Sequence, residues 1–154
     1  MRLAGALAAL MAIVVGMTGC GGEHRDADQR TRTPAVTDIV REAAEFGGIV
    51  IPQGVTVLDA RSERGIDTLY QLALSTDQQG LTLLLTASKF SAQLNKVYRV
   101  TETTIAGPPL DTSPSILQAD DVYRNPDGQS VHRVVTVDER DPSNRYVHIQ
   151  LYDT

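Results

Sequence analysis

The stretch Ser130–Tyr152, SVHRVVTVDERDPSNRYVHIQLY, decides the fold. It holds two runs rich in β-branched and aromatic residues, 130–138 and 145–152, each with period-two alternation. Val135 and Val137 face the same way as Val147, Ile149 and Leu151, because alternate side chains of a strand share a face. Between the runs, ERDPSN (139–144) offers Pro, Ser and Asn and no apolar side chain, which is turn chemistry. The spacing predicts two neighbouring antiparallel strands. Just upstream, Asn125-Pro126-Asp127-Gly128 is a second turn, which pairs Val122–Arg124 with Ser130–Asp138. The chain therefore closes in a meander.

Further strands and helices are read outward from it. Val55 and Val57 alternate with polar positions, Ser62-Glu63-Arg64-Gly65 reads as a turn, and Ile66, Tyr70, Leu72 and Leu74 follow. That is a β-hairpin. Lys96–Thr103 is a further strand, with Tyr98 and Val100 alternating against Arg99 and Thr101. Pro34–Phe46 reads as a helix: Val36, Ile39, Val40 and Ala43 recur at helical spacing, Thr33 can cap it, and Gly47-Gly48 ends it. For residues 77–90, DQQGLTLLLTASKF, helix is favoured over buried strand on length. Asp77 or Thr76 would be the cap, and Leu81, Leu84, Leu85 and Ser88 the inner face. AGPPLDTSPS (106–115) reads as a proline-rich surface loop, with one helical turn from Ser113-Pro114 through Gln118. The expected fold is α+β: an antiparallel sheet of five or six strands with one or two helices packed on one face.

Composition narrows the function classes. In 154 residues the chain carries a formal charge of −5, against the basic stripe expected of a nucleic-acid binder. Only Lys89 and Lys96 of the 14 basic residues are lysine, which reads as genome composition rather than phosphate binding. At the N-terminus, Arg2 precedes the apolar run Leu3–Val15. A spanning helix needs roughly 20 such residues, whereas a secretory signal needs about 7 to 15. The single cysteine, Cys20, follows at once in Met17-Thr18-Gly19-Cys20.

Met17–Cys20 resembles the bacterial lipobox, in which an aliphatic residue, a small residue and Gly or Ala precede the cysteine. It departs at Met17, where leucine is commoner. The resemblance implies a diacylglyceryl group on Cys20, cleavage between Gly19 and Cys20, and a protein held at the membrane through that lipid. The expected organisation is then a signal peptide over 1–19, a lipidated tether over 20–35 and one α+β domain over 36–154. GGEHRDADQRTRTPA (21–35) has no apolar period, which suits a flexible stalk with a mean reach of roughly 20 Å. His24 within it is read as solvated. Without a second cysteine no disulfide can brace the domain.

Candidate chemistry is sparse. His132 and His148 fall on the face opposite the valines, with Tyr146, Gln150 and Tyr152. His148 should oppose Val134 or Thr136, which leaves His132 a residue or two away on the diagonal. Two histidines on a solvated face explain this pattern most simply. A zinc site needs three or four ligands, and no third is evident, so no metal is expected. Asp120-Asp121 and Asp127 do not form a calcium loop: six residues after Gly128 stands Val134, not glutamate. Arg64, Asp67 and Tyr70 gather near the hairpin turn as a solvated edge or a surface contact. There is no G-x-S-x-G elbow, Ser-x-x-Lys or phosphate loop, and no cofactor is expected.

The whole arrangement resembles small lipoproteins of Gram-positive actinobacteria. That resemblance implies a domain on the outer side of the cytoplasmic membrane and supplies no functional residue beyond Cys20. The expected role is a binding or accessory module of the cell envelope, contacting an envelope protein or small ligand. The alternative is a small envelope hydrolase using His132 or His148, with Tyr146 beside them.

Overall fold

The computed structural model describes residues 35–153. The expected signal peptide, the lipidation site Cys20, the stalk and the cap Thr33 lie outside the described residues. Helix α1 spans Val36–Gly47, followed by strands β1 (Thr56–Arg64) and β2 (Thr68–Thr76), then helix α2 (Gln78–Ala87). Strand β3 (Asn95–Val97), a 3₁₀ turn at Leu110–Thr112, and strands β4 (Ile116–Arg124), β5 (Ser130–Asp138) and β6 (Arg145–Tyr152) complete the chain. The strands form one six-stranded sheet in the order β1-β2-β6-β5-β4-β3, every pair antiparallel. This is the α+β fold expected, with both helices on one face.

The meander places its side chains as the alternation requires. Val135 pairs with Ile149 and Val137 with Val147, and all four are buried against the helices. Tyr70, Leu72 and Leu74 of β2 join them, because β2 adds to the free edge of β6. Ile39 and Ala43 of α1, and Leu81 and Leu84 of α2, close the core from above.

Both helices end by chemistry visible in the sequence. Asp77 caps α2, its Oδ1 accepting the Gly80 N–H at 2.7 Å, so the open choice for 77–90 resolves as helix. Gly48 ends α1 in the left-handed conformation, φ 64°. Side chains would not fit there: a Cβ on Gly47 would stand 2.6 Å from Leu151, and one on Gly48 2.5 Å from the Tyr123 ring.

Three expectations need correction. Ser62–Arg64 belongs to β1, and the hairpin turn is Gly65–Asp67, where the Gly65 N–H reaches the Asp67 carbonyl at 3.1 Å. The strand expected over Lys96–Thr103 is only Asn95–Val97, since beyond Val97 no pairing with β4 continues. No helical turn begins at Ser113-Pro114; the turn comes earlier, at Leu110–Thr112, and β4 starts at Ile116 because it pairs with β5 along its full length.

Beneath both helix ends lies Arg133 of β5, 1% exposed. Its Nε and Nη2 donate to the two oxygens of Asp121, each at 2.7 Å. Nη1 donates to the carbonyls of Gly47 (3.1 Å) and Ser88 (2.9 Å), and Nη2 to that of Lys89 (3.2 Å). A guanidinium has five N–H donors, and all five are used. Its Cζ lies over the rings of Phe90 and Tyr123, 4.5 and 5.0 Å from their centroids. One side chain thus satisfies the terminal carbonyls of α1 and α2 and neutralises a buried carboxylate. Burial pushes the Asp121 carboxyl up, but the bonds from Arg133 and Ser91 outweigh it and hold the carboxyl below its ordinary 3.8.

Arg133→Met is expected to cost about 3–5 kcal/mol in denaturant unfolding, because it leaves Asp121 charged, buried and unpaired. Adding Asp121→Leu should recover part of that loss. The unfolded chain takes up the Asp121 proton before the folded one does. Wild-type stability should therefore fall as pH drops through and below the ordinary carboxylate range, with a shallower fall in Asp121→Asn.

Candidate functional site

The sheet face turned away from the helices is the outer face. Register gives its rows from β4 to β1: Gln118, Thr136, His148, Ala73 and Asp59; then Asp120, Val134, Gln150, Gln71 and Arg61; then Val122, His132, Tyr152, Leu69 and Glu63. A row above the first holds Ile116, Asp138, Tyr146 and Ser75. The rows differ in cover. Residues 98–115 leave β3, cross this face to the β1 edge and return to β4. They form a strap, of which the proline-rich surface loop expected over 106–115 is the later part.

Named contacts trace the strap. The Ile105 carbonyl accepts from Arg61 Nη2 of β1 at 3.4 Å. Gly107, at φ 88°, stands where a Cβ would meet the Tyr146 ring at 3.2 Å. Leu110 is buried, and its N–H is held by Thr104 Oγ1 at 3.1 Å. Arg140 clamps the return leg, donating to Pro109 O at 2.6 Å and Thr112 Oγ1 at 3.0 Å. Ser113 Oγ donates to Asp138 Oδ1 at 2.5 Å.

Under the strap lies a polar row. Gln118 Nε2 donates both to Glu102 Oε1 of the strap (2.7 Å) and to Thr136 Oγ1 (3.1 Å). His148, opposite Thr136 on β6, is 6% exposed, and its Nε2 has no hydrogen-bond partner; neither has the buried Glu102 Oε2. Burial pushes the His148 imidazole below its ordinary 6.5, against the pull of the Asp138 and Glu102 charges. The lower rows are open. His132 stacks on Tyr152 with centroids 5.2 Å apart and planes 9° from parallel. Val122 beside them is 57% exposed, Asp120 is exposed, and Val134, Gln150, Gln71 and Leu69 are half-buried.

The residues singled out from the sequence therefore divide. His148 and Tyr146 lie under or beside the strap, and His132 lies in the open half. His148 opposes Thr136, four positions from His132 along β5, so the two are about 13 Å apart along the strand, not a residue or two. They do not share a site. Arg64 and Tyr70 come together, but through α1: Arg64 Nη2 binds Glu42 Oε2 at 2.5 Å and Tyr70 Oη at 3.1 Å, while Asp67 stays in the turn. Asp120 and Asp121 point to opposite faces, and Asp127 stays in the β4–β5 turn. Among the described residues no three His, Cys, Asp or Glu side chains stand close enough to hold a metal ion.

Glu102 and Gln118 are the site residues that sequence reading missed. Neither belongs to a motif, and Gln118 enters the row only once β4 is known to begin at Ile116.

Leu110→Ala should loosen the strap by about 2 kcal/mol, the lower end for truncating a buried leucine. Tryptic cleavage after Arg99 should then quicken roughly thirtyfold while the circular dichroism of the sheet is unchanged. Comparison with known proteins returns no matching family model, no matching curated protein and no matching solved structure.

Proposed function

We propose that this chain is a lipid-anchored lipoprotein on the outer side of the cytoplasmic membrane and acts there as a binding or accessory module of the cell envelope. Cys20 is its lipid acceptor, freed by cleavage after Gly19. The observation that carries the binding reading is the open half of the outer face. There Val122, His132, Tyr152 and Leu69 form a continuous row across four strands, with Val122 more than half exposed. A half-apolar row flanked by Asp120, Gln150 and Gln71 is the composition of a protein contact: buried aliphatic and aromatic groups ringed by polar ones.

The anchor reading draws its support from the leader. An apolar run too short to span, ending in Met17-Thr18-Gly19-Cys20, suits lipid transfer to the thiol. Each buried methylene contributes about 0.8 kcal/mol, so two or three acyl chains hold a domain at a membrane where one does not. Tethering also raises the local concentration of the domain for any partner in the same membrane.

Two measurements test the reading separately. The intact mass of detergent-extracted protein should match a chain beginning at Cys20 and bearing diacylglycerol; an unmodified mass removes the anchor. A photo-crosslinking residue at Val122 should join the protein to one reproducible envelope partner in living cells, while the same residue at Leu83, on the exposed side of α2, should not. Equal capture from both positions, or none from Val122, removes the contact face.

A further inference from the structure

We infer that the strap is an acid-released cover: below neutral pH, proton uptake by His148 lifts its first leg, residues 98–105, from the sheet and extends the open half of the outer face. The inference rests on the fold alone and requires neither the lipid anchor nor a partner.

The two legs of the strap are held very differently. The return leg is fixed by buried Leu110, the Arg140 clamp and the Ser113–Asp138 bond. Among the described residues, and outside the strand ladders, 98–108 make no backbone–backbone hydrogen bond. The first leg is held only by side-chain bonds: Gln118 on Glu102, Thr104 Oγ1 accepting the Leu110 N–H of the return leg at 3.1 Å, and the longer Arg61 contact to Ile105 O. Tyr98, at its root, is exposed. Local opening draws on such weakly bonded segments first.

His148 sits beneath this leg with an unpartnered Nε2. Neutral, it is tolerated there. Charged, it would bring an imidazolium N–H into a buried position with no acceptor bonded to it, a cost relieved when the strap lifts and water enters. The surrounding charges do not remove that cost. Asp138, from β5, already accepts from Ser113, from the Arg140 N–H and from Arg140 Nε at 2.6 Å, and Arg140 balances its charge. Asp59, at the β1 end of the row, pairs with Arg61 at 3.2 Å. β2 presents Ala73 and Ser75, and β4 presents Gln118, none of them charged. On its own strand His148 is flanked by Tyr146 and Gln150. Of the two carboxylates acting on His148 among the described residues, Glu102 is the one without a cation, and it offsets burial only in part; the imidazole stays below its ordinary 6.5.

The sign follows from linkage. The closed strap binds the proton less tightly than the lifted strap, where His148 is hydrated. Above about pH 6.5 both states are neutral at His148 and the strap is closed. As pH falls from there toward the imidazole's lowered value, the lifted state takes up the proton first and gains population, by at most roughly tenfold per pH unit for one site.

The test is NMR on the full chain between pH 7.5 and 5.5. The lifted population, read by relaxation dispersion at residues 98–105, should rise several-fold, while β5 and β6 stay unchanged. In His148→Gln, which cannot be charged, that population should not respond to pH. The wild-type His148 imidazole should titrate below 6.5, a readout that decides the matter even if the variant does not fold. Three results overturn the inference: a strap population that is flat or falls on acidification, a response that persists in His148→Gln, or a His148 that titrates at or above 6.5.

Discussion

The structure depends on one buried guanidinium. Arg133 enters the helix-side face of the sheet from β5, where a valine would suit the pattern of its neighbours, and takes the carbonyls that end both helices. Without it, Gly47, Ser88 and Lys89 would present acceptors to a dry interior. Its positive charge in turn requires Asp121, and the rings of Phe90 and Tyr123 lie within cation–π distance of it. The helices are thus set against the sheet by directed bonds as well as by apolar contact. That matters for a small domain without disulfides: apolar packing supplies the free energy, and directed bonds select one arrangement. Gly47 and Gly48 follow from the same demand, because the α1 terminus must come close enough for its carbonyl to reach the guanidinium.

The two faces of the sheet are used differently. The helix side is closed and mostly apolar, with the Arg133–Asp121 pair as its buried charges. Among the described residues, the outer face has no helix and is covered over only half its rows, by a strap that has almost no regular structure of its own. Where the strap lies, the side chains beneath are polar and partly unpaired, as at Glu102 and His148. Where it does not, the row from Val122 to Leu69 meets solvent. A cover built on a few side-chain bonds is easily moved. An adjacent open row gives that movement a consequence, since lifting the strap lengthens a surface already present.

How much of this was legible in the sequence depended on how local each feature is. The meander was readable because alternation and turn residues are local: β5 and β6 lie where the valines and ERDPSN place them, and Asp77 caps α2 by reaching three residues along its own chain. The division of the histidines was half legible. Alternation put both on the outer face, but their separation depends on register across a turn, and a shift of two residues changes a contact into a gap of about 13 Å. That the proline-rich surface loop lies across the sheet was not legible, because prolines and small polar residues look alike whether water or a sheet lies beneath them. The strand over Lys96–Thr103 was overextended for a related reason: alternation says that a segment can pair, not that a partner continues beside it.

By itself, then, the sequence determined the α+β class, the meander and the helix ends at Asp77 and Gly48, since each is written in spacing or in single residues with strong conformational preferences. Tertiary structure alone decided that β2 lies beside β6, that Arg133 is buried, that Arg64 reaches Glu42, and which half of the outer face the strap covers. Those outcomes join residues separated by tens of positions. Their partners are selected by burial and by the need to satisfy every buried polar group, constraints that exist only once the chain has folded.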